Sequence, residues 1–301
     1  MSQLVQTLVL GLLVGGVYAL AASGLTLVFG VMNVINVGHG ALLILSAYFT
    51  WALWRRTGLD PLLLALVTTP IMFVLGWVIY QVGIRRVRSA GASMSVLLTF
   101  SIALILQGVM GQVWGNLFRA SRPGYVDQSF HVGSIVLPKA KLYAFLMAVG
   151  ILLLLWLLLS RTWLGRGIRA AAENPQAAVL VGIDVAAIAA LTFAIGVATT
   201  GAGGALISVQ GVFFPSSHYL WISRLLGIIV LGGMGSLAGA FFGALLMGVA
   251  EALVPVYGDK VFINNGLAWV TAVPYVVIFV VLLLRPRGLF GARTREDVAA
   301  P

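Results

Sequence analysis

The sequence predicts an all-α protein, a polytopic transmembrane helix bundle of about 8–9 membrane segments with candidate re-entrant or broken helices. Of its 301 residues, 61% are hydrophobic and 9% are charged, whereas a soluble domain carries about 25% charged residues. The apolar residues form long blocks such as 142–159, and about 20 apolar residues cross the hydrocarbon layer as a helix. Arginines cluster at the block ends, as the positive-inside rule predicts for cytoplasmic loops.

The predicted segments are 4–29, 38–54, 62–82, 94–114, 142–160, 184–208, 219–233, 236–255 and 266–284. Segment 219–233 is short for a full crossing, so it is the candidate for a re-entrant element. No soluble domain interrupts the series, so residues 1–301 form a single domain. The arginine-bearing loop 161–183 and the carboxyl-terminal tail are predicted to be cytoplasmic, and counting places 115–141 and the amino terminus outside.

Several classes of protein are excluded by residues that the sequence lacks. Without cysteine there is no disulfide, catalytic thiolate or cysteine-ligated metal. The histidines, His39, His131 and His218, have no metal-ligand spacing, so no metal site is predicted. The net charge of +10 lies at the segment ends, which argues against a nucleic-acid partner. No catalytic triad or acid pair is visible, so an enzyme is not predicted.

Glycine is unusually frequent, with 36 residues. Many glycines are four residues apart, as in Gly11 and Gly15 or in Gly235, Gly239 and Gly243. This spacing gives a helix one face without side chains, on which a neighbouring helix packs closely within lipid. A tightly packed bundle is therefore expected.

Two polar or glycine-rich breaks interrupt the apolar blocks, at 31–40 and 232–236. Asparagine and histidine are costly in hydrocarbon unless they lie in protein or face a water-filled path, and broken helices expose backbone groups to substrate in transporters. The alternative for the first break is an interfacial loop that caps two helices. The residues predicted to line a translocation path are Asn33, Asn36, His39, Gly40, Gly232, Gly233, Gly235 and Ser236.

The second break also contains Ser236, a predicted helix N-cap. Each break leads into a helix of small residues, and this similarity hints at an internal repeat, which is a common architecture among transporters. Glycine content alone would produce the same similarity.

The loop 161–183 is predicted to form a helical elbow. Asn174 ends one helix and caps a second, with Pro175 at its first position. Arg169 and Glu173 share a helix face, where they can pair with each other or with a partner. The alternative is a simple connecting loop. The residues predicted to couple the elbow to a partner are Arg166, Arg169, Glu173, Asn174, Ala177, Ala178 and Gly182.

Four ordered motifs, at 30–40, 169–183, 231–236 and 285–291, resemble those of the branched-chain amino-acid permease family of the LivH type. They are a glycine followed by N-x-x-H-G, then R-A-x-x-x-N-x-x-A-A-x-x-x-G-I, L-G-G-x-G-S and R-P-x-G-L-F-G. The chain departs from the family at Ala41, where a polar residue is common, and at Arg224, near a position where the family has lysine.

The resemblance implies the permease subunit of an ATP-driven importer in a bacterial-type cytoplasmic membrane. Branched-chain or other amino acids would be delivered by an extracytoplasmic substrate-binding protein. A second, related permease subunit would complete the path, and two ATPase subunits would hold ATP and Mg and bind the elbow. The sequence itself has no G-x-x-x-x-G-K-[ST] phosphate loop, so it carries no cofactor site of that kind.

The competing hypothesis is an ion-coupled secondary transporter or a channel. Such carriers use ionisable groups within the membrane as relays. Glu251 is the only acid inside an apolar block, and the sequence shows no base paired with it. The expectation is therefore an interfacial or packing carboxylate and no proton coupling.

Overall fold

The architecture is taken from a computed structural model that describes residues 2–87, 91–261, 269–285 and 288–290. In chain order the helices are α1 (Ser2–Met32), α2 (His39–Thr57), α3 (Pro61–Ile79), α4 (Arg85–Val87), α5 (Ala92–Trp114), α6 (Lys139–Arg161), α7 (Trp163–Glu173), α8 (Pro175–Leu180), α9 (Val185–Gln210), α10 (His218–Gly232), α11 (Leu237–Val261) and α12 (Val273–Leu284). A π-helical turn, Tyr80–Ile84, joins α3 to α4, and a 3₁₀ turn, Pro215–Ser217, precedes α10.

The prediction of an all-α polytopic bundle is confirmed. A helix of the structure lies in each predicted segment, although the start of segment 266–284 falls on residues outside the described ranges. Within the described residues, six helices are long and apolar enough to cross a membrane. The short segment at 219–233 is also confirmed as a short helix, α10, which has 15 residues.

The exterior of the bundle is apolar, in contrast to that of a soluble protein. Large aliphatic side chains on α3, α6 and α12 are strongly exposed, for example Leu66 (70%), Leu154 (66%) and Leu283 (72%). An apolar surface of this extent is stable when it faces lipid instead of water. Helices α1 and α9 are mostly buried, whereas few residues of α5 and α6 are. The core of the bundle therefore consists of α1 and α9 with the other helices around them.

Helices α1 and α9 cross at Gly24 and Gly196. A β-carbon on Gly196 would lie 2.7 Å from the carbonyl oxygen of Gly24, and one on Gly24 would meet the carbonyl oxygen of Gly196 still more closely. The two backbones therefore touch without an intervening side chain, which is the close packing that small residues permit in membranes. Ala21 lies against Gly203, so the two helices run antiparallel.

The helices form an inverted repeat. Helices α1 and α9 are each followed by a short break, at 33–38 and 211–217, and then by a helix that begins with a histidine, α2 or α10. The third helix of each half packs on the long helix of the other half. Helix α3 packs on α9, where β-carbons on Gly76 and Gly201 would each lie 2.7 Å from a side chain of the opposite helix. Helix α11 packs on α1, where a β-carbon on Gly11 would lie 2.7 Å from the Cα of Val249.

The sequence suggested a repeat but paired the wrong segments. It matched the break at 31–40 with 232–236, whereas the structural counterpart of the first break is 211–217. The similarity arose because both segments are close-packed turns rich in glycine. The true counterparts share position and topology and little sequence.

The two ends of the bundle differ. A hairpin of β1 (Ser129–Val132) and β2 (Ile135–Pro138) lies at one end, where the Gln6 side chain of α1 hydrogen-bonds the backbone N–H and carbonyl of Val136. Helix α6 runs from this hairpin to α7 and α8 at the other end. We call these the hairpin end and the elbow end. Helix α9 starts beside the elbow and finishes where Ser121 N–H donates to Ser208 O, at the hairpin end.

Substitution of Gly24 by alanine should destabilise the bundle, because the added methyl group meets backbone that cannot move aside. The expected cost is roughly 1–3 kcal/mol, the usual range for overpacking. Gly150→Ala on α6 is the control, since no atom lies within 4 Å of the added carbon. Alanine also favours a helix over glycine, so the control should be neutral or stabilising. Thermal unfolding in detergent measures both, and equal midpoints would contradict the crossing.

Candidate functional site

The first predicted break folds back into the bundle. Helix α1 ends at Met32, Asn33 adopts a left-handed conformation with φ of 50°, and α2 begins at His39. Asn33 is exposed, whereas Asn36 and His39 are buried, with 2% and 0% exposure. His39 contacts Ala21 and Thr200, which lie near the middle of α1 and α9. Helix α2 therefore starts inside the bundle, not at its surface.

The imidazole of His39 lies between the two central helices. The hydroxyl of Thr200 donates to Gly196 O at 2.8 Å. The Nε2 atom of His39 lies 2.5 Å from Thr200 Oγ1 and 3.3 Å from Ala21 O. The Nδ1 atom of His39 is buried and forms no hydrogen bond within the described residues. This arrangement joins α2 to both central helices.

His218, at the start of α10, is the counterpart of His39. It is 1% exposed, and its Nε2 atom lies 2.9 Å from Gln107 Oε1 of α5, an acceptor. The two interior helix starts meet, since a β-carbon on Gly40 would lie 2.5 Å from His218 O. From the sequence, His218 was a candidate only for metal binding, and this role was missed. Its position directly after a break and before an apolar helix was the available signal.

The second break lies at the elbow end. Ser236 caps α11, as predicted, because its Oγ atom accepts from Gly239 N–H at 3.0 Å. Gly233 and Gly235 have positive φ angles of 97° and 85°, which explains why glycine is used here. Gly235 lies against Gly30 in the last turn of α1. Gly232 is buried against Gly239, so the backbones of α10 and α11 meet directly.

The described part of the carboxyl-terminal motif seals the end of α10. The backbone N–H groups of Leu289 and Phe290 donate to the carbonyls of Leu231 and Gly232 at 2.8 and 3.0 Å. These carbonyls would otherwise lack a partner at the helix end. Gly288 has a φ of 75°, and a β-carbon there would lie 2.6 Å from Gly233 N. The third and fourth sequence motifs therefore contact each other; Pro286, Arg287 and Gly291 lie outside the described residues.

The structure divides the predicted path residues between two places. Asn36, His39 and Gly40 lie in the interior beside α10, whereas Asn33, Gly235 and Ser236 lie at the elbow end with Gly232 and Gly233. The prediction that they line a path stays a prediction. Within the described residues, no group of three His, Asp or Glu side chains could hold a metal ion.

Glu251 is a packing carboxylate with a basic partner that the sequence did not reveal. Its carboxylate is 8% exposed and accepts from Arg224 Nε at 2.8 Å and from the hydroxyl of Tyr18 at 2.7 Å. The sequence showed no base because Arg224 is on α10 and the pair is formed only by packing. The cluster joins α1, α10 and α11 within the bundle, and the Tyr18 and Trp221 rings meet edge to face beside it. A buried ion pair of this kind is costly to break from one side.

The elbow forms as two helices, as predicted, and the first runs from Trp163 to Glu173. Asn174 Oδ1 accepts from Ala177 N–H at 3.1 Å and caps α8, and Pro175 is its first residue. Gly182 has a φ of 82°, and Ile183 N–H donates to Ala178 O at 3.0 Å, which ends α8 in a tight turn.

Of the two alternatives for Arg169 and Glu173, the structure does not show the pair within the helix. Arg169 donates from Nη1 to Leu159 O and so caps the end of α6, and contact of Glu173 with a partner stays a prediction. Arg166 lies over the Trp163 ring at 4.0 Å, and Glu173 is exposed. Ala178 is buried, whereas Ala177 is exposed.

Three large apolar side chains of the elbow are strongly exposed. Trp163 is 83% exposed, Leu180 88% and Val181 75%. They lie among exposed polar residues such as Arg166 and Glu173. An exposed apolar patch with a polar rim is typical of a protein interface.

Comparison with known proteins identifies relatives along nearly the whole chain. The family model described as the permease component of branched-chain amino acid transport systems matches residues 7–284. The high-affinity branched-chain amino acid permease protein BraD of Pseudomonas aeruginosa is 32% identical, over 97% of each chain. LivH of Salmonella typhimurium is 29% identical over 96% of each chain. The probable LivH of Methanocaldococcus jannaschii is 28% identical, over 90% of this chain and 88% of that one. No solved structure matches the chain significantly.

Removal of one partner of the Arg224–Glu251 pair should destabilise the protein by about 3–5 kcal/mol, because the other charge stays buried without a counter-ion. We expect this for Glu251→Gln and for Arg224→Met. The double variant should recover most of the loss, since it buries no charge. Unfolding midpoints of the four proteins in detergent form a double-mutant cycle. Additive losses would show that the two side chains do not interact.

Proposed function

The chain belongs to the family of branched-chain amino acid transport permeases, and from this premise we propose that it forms the transmembrane path of an ATP-driven importer for amino acids. Branched-chain amino acids are the proposed substrates, because the relatives that match nearly its whole length are described as their permeases. The observation that carries the ATP-driven part is the elbow, which presents an apolar patch at one end of the bundle.

The elbow is proposed as the docking site for ATPase subunits. Its helices are capped within the chain, since the side chains of Thr162, Asn174 and Asp184 cap α7, α8 and α9. The caps orient α7 and α8, and the burial of Ile168 and Ala171 anchors α7 to the bundle. The remaining face, with Trp163, Leu180 and Val181, is then free to bind a protein surface. Glu173 and Arg166 at its rim would add charge complementarity.

The other partners follow from the same proposal. The elbow end and the carboxyl terminus face the cytoplasm of a bacterial-type inner membrane, where two ATPase subunits bind ATP and Mg. The hairpin end faces outward and receives a substrate-binding protein. A second, related permease subunit covers the exposed side of the bundle and completes the path. Asn33, Asn36, His39, Gly40, Gly232, Gly233, Gly235 and Ser236 support the path, the interior ones by fixing the starts of α2 and α10.

Reconstitution tests the proposal. In liposomes that contain this permease with its partner permease and ATPase subunits, uptake of labelled L-leucine should require both ATP inside and the loaded binding protein outside. Omission of the ATPase subunits should abolish uptake. Uphill uptake by this chain alone on a proton or sodium gradient would establish an ion-coupled carrier instead. The buried Arg224–Glu251 pair makes that outcome worth measuring.

Val181→Asp should weaken the binding of ATPase subunits at least tenfold, because it places a charge in the apolar patch of the elbow. The permease itself should remain folded, since Val181 is 75% exposed. Val132→Asp, in the hairpin and 61% exposed, is the matched control at the other end of the bundle. Co-purification of ATPase subunits with each variant is the measurement. Equal recovery with both variants would show that the elbow is only a connector.

A further inference from the structure

A polar cleft lies between α5 and the start of α10. It has a volume of about 460 Å³, and its lining includes Gln107, Gly108, Gly111, Gln112, Asn116 and Tyr219. We call it the amide cleft. Helix α5 is otherwise apolar and mostly exposed, with Ile105, Val109 and Val113 at 64%, 46% and 62%. The helix therefore has two exposed faces of different chemistry.

Two of the three amide side chains of the cleft, and the phenol of Tyr219, lack protein partners in the described part of the chain. Within the described residues, the side chains of Gln112 and Asn116 and the hydroxyl of Tyr219 form no hydrogen bond. An amide transferred from water to an apolar medium without a partner costs about 2–7 kcal/mol. Contact with lipid tails is thus disfavoured for this face, and it must meet water, a ligand or another protein. The apolar face of the same helix carries no such penalty.

The cleft has an open floor. A β-carbon on Gly108 would have no atom within 4 Å, so the backbone of α5 is bare there, whereas one on Gly111 would lie 3.0 Å from Asn116 Oδ1. Glycine in a helix costs stability relative to alanine, and close helix packing is not the reason at Gly108. Gly108 lines the same cleft as the amide groups. The cleft therefore has room for a small molecule.

One wall of the cleft is fixed from inside the bundle. Gln107 lines the cleft and also binds the buried His218 at 2.9 Å, so it links the cleft to the start of α10. Tyr219, the next residue, is 43% exposed, and its ring centroid lies 4.0 Å from that of His218. The first N–H groups of a helix have no partner in the helix and carry partial positive charge. Helix α10, with 15 residues, places this end at the cleft.

We propose that the amide cleft is the entrance subsite for the amino acid substrate, where neutral side chains bind its ammonium and carboxylate groups; this rests on the proposed function. Amide carbonyls accept hydrogen bonds from an ammonium group, and amide NH₂ groups and the phenol donate to a carboxylate. The lining includes no charged residue. Neutral partners suit transport, because binding must be weak enough for release.

The position of the cleft agrees with an entrance. Gln112 lies in the last turn of α5, and Asn116 follows its end at Trp114. Arg119 N–H then donates to Phe213 O beside the end of α9, at the hairpin end. On the proposed orientation this end receives the binding protein. The substrate would meet the amide groups first and pass the interior helix starts afterwards.

Filling the cleft tests the proposal. In the complete reconstituted importer, Gly108→Leu should lower ATP-dependent uptake of L-leucine at least tenfold, with normal assembly of the complex and retained ATP hydrolysis. Gly150→Leu on α6 is the matched control, since it too has open space around the added carbon and should leave uptake unchanged. Uptake that is equal in both variants would overturn the proposal.

Accessibility provides a second, independent test. The chain has no cysteine, so a single cysteine can be placed at Gln112 or, as control, at Val113. In the assembled complex, a charged thiol reagent should modify Gln112→Cys at least tenfold faster than Val113→Cys. If Gln112→Cys reacts in the isolated chain but not in the complex, the cleft is sealed by the partner subunit and the proposal is wrong. If the wild-type importer shows no ATP-dependent leucine uptake, the proposed function fails. The difference in labelling between Gln112→Cys and Val113→Cys still shows whether water reaches the cleft.

Discussion

The backbone contact between Gly24 and Gly196 is the constraint on which the rest of the structure depends. Because no side chain separates α1 from α9, their axes approach closely and each helix becomes mostly buried. The third helix of each half then packs on the central helix of the other half, again through glycines such as Gly76 and Gly11. In lipid, where apolar burial gives no drive for helix association, such close contact must supply the stability. Because each half packs on the other in the same way and the central helices run antiparallel, the two halves form an inverted repeat.

The close crossing leaves room beside it for two helices that start inside the bundle. An interior helix start exposes N–H groups that lipid would not satisfy, so it must lie in protein. His39 and His218 lie at equivalent interior helix starts, and the Nε2 atom of each lies within hydrogen-bond distance of a side chain on a neighbouring helix. The Arg224–Glu251 pair then holds α10 in its middle, and the segment around Gly288 holds its far end. Helix α10 is thus fixed at three points along its length.

The sequence predicted what depends on local pattern and missed what depends on packing. Apolar length gave the helices, and the caps at Asn174 and Ser236 were visible because a cap needs only residues a few positions apart. The partner of Glu251 could not be seen, since Arg224 is brought to it by the crossing of α10 and α11. The contact of Arg169 could not be predicted for the same reason, because its acceptor is a backbone carbonyl, which every residue has. The division of the predicted path residues between the interior and the elbow end has a related cause. The depth at which α2 begins is set by its packing on α1 and α9, which the sequence does not show.

The contrast between α10 and α5 bears on how such a bundle can move. Helix α10 is fixed by a hydrogen bond, an ion pair and backbone contacts, whereas α5 has most of its residues exposed. Neither cap of α5 adds a side-chain hydrogen bond, because its N-cap, Gly91, and its C-cap, Gly115, are both glycines. The link from Gln107 to His218 is therefore the main polar tie between the two walls of the amide cleft. A change in the position of α5 would therefore widen or close the cleft while α10 stays in place.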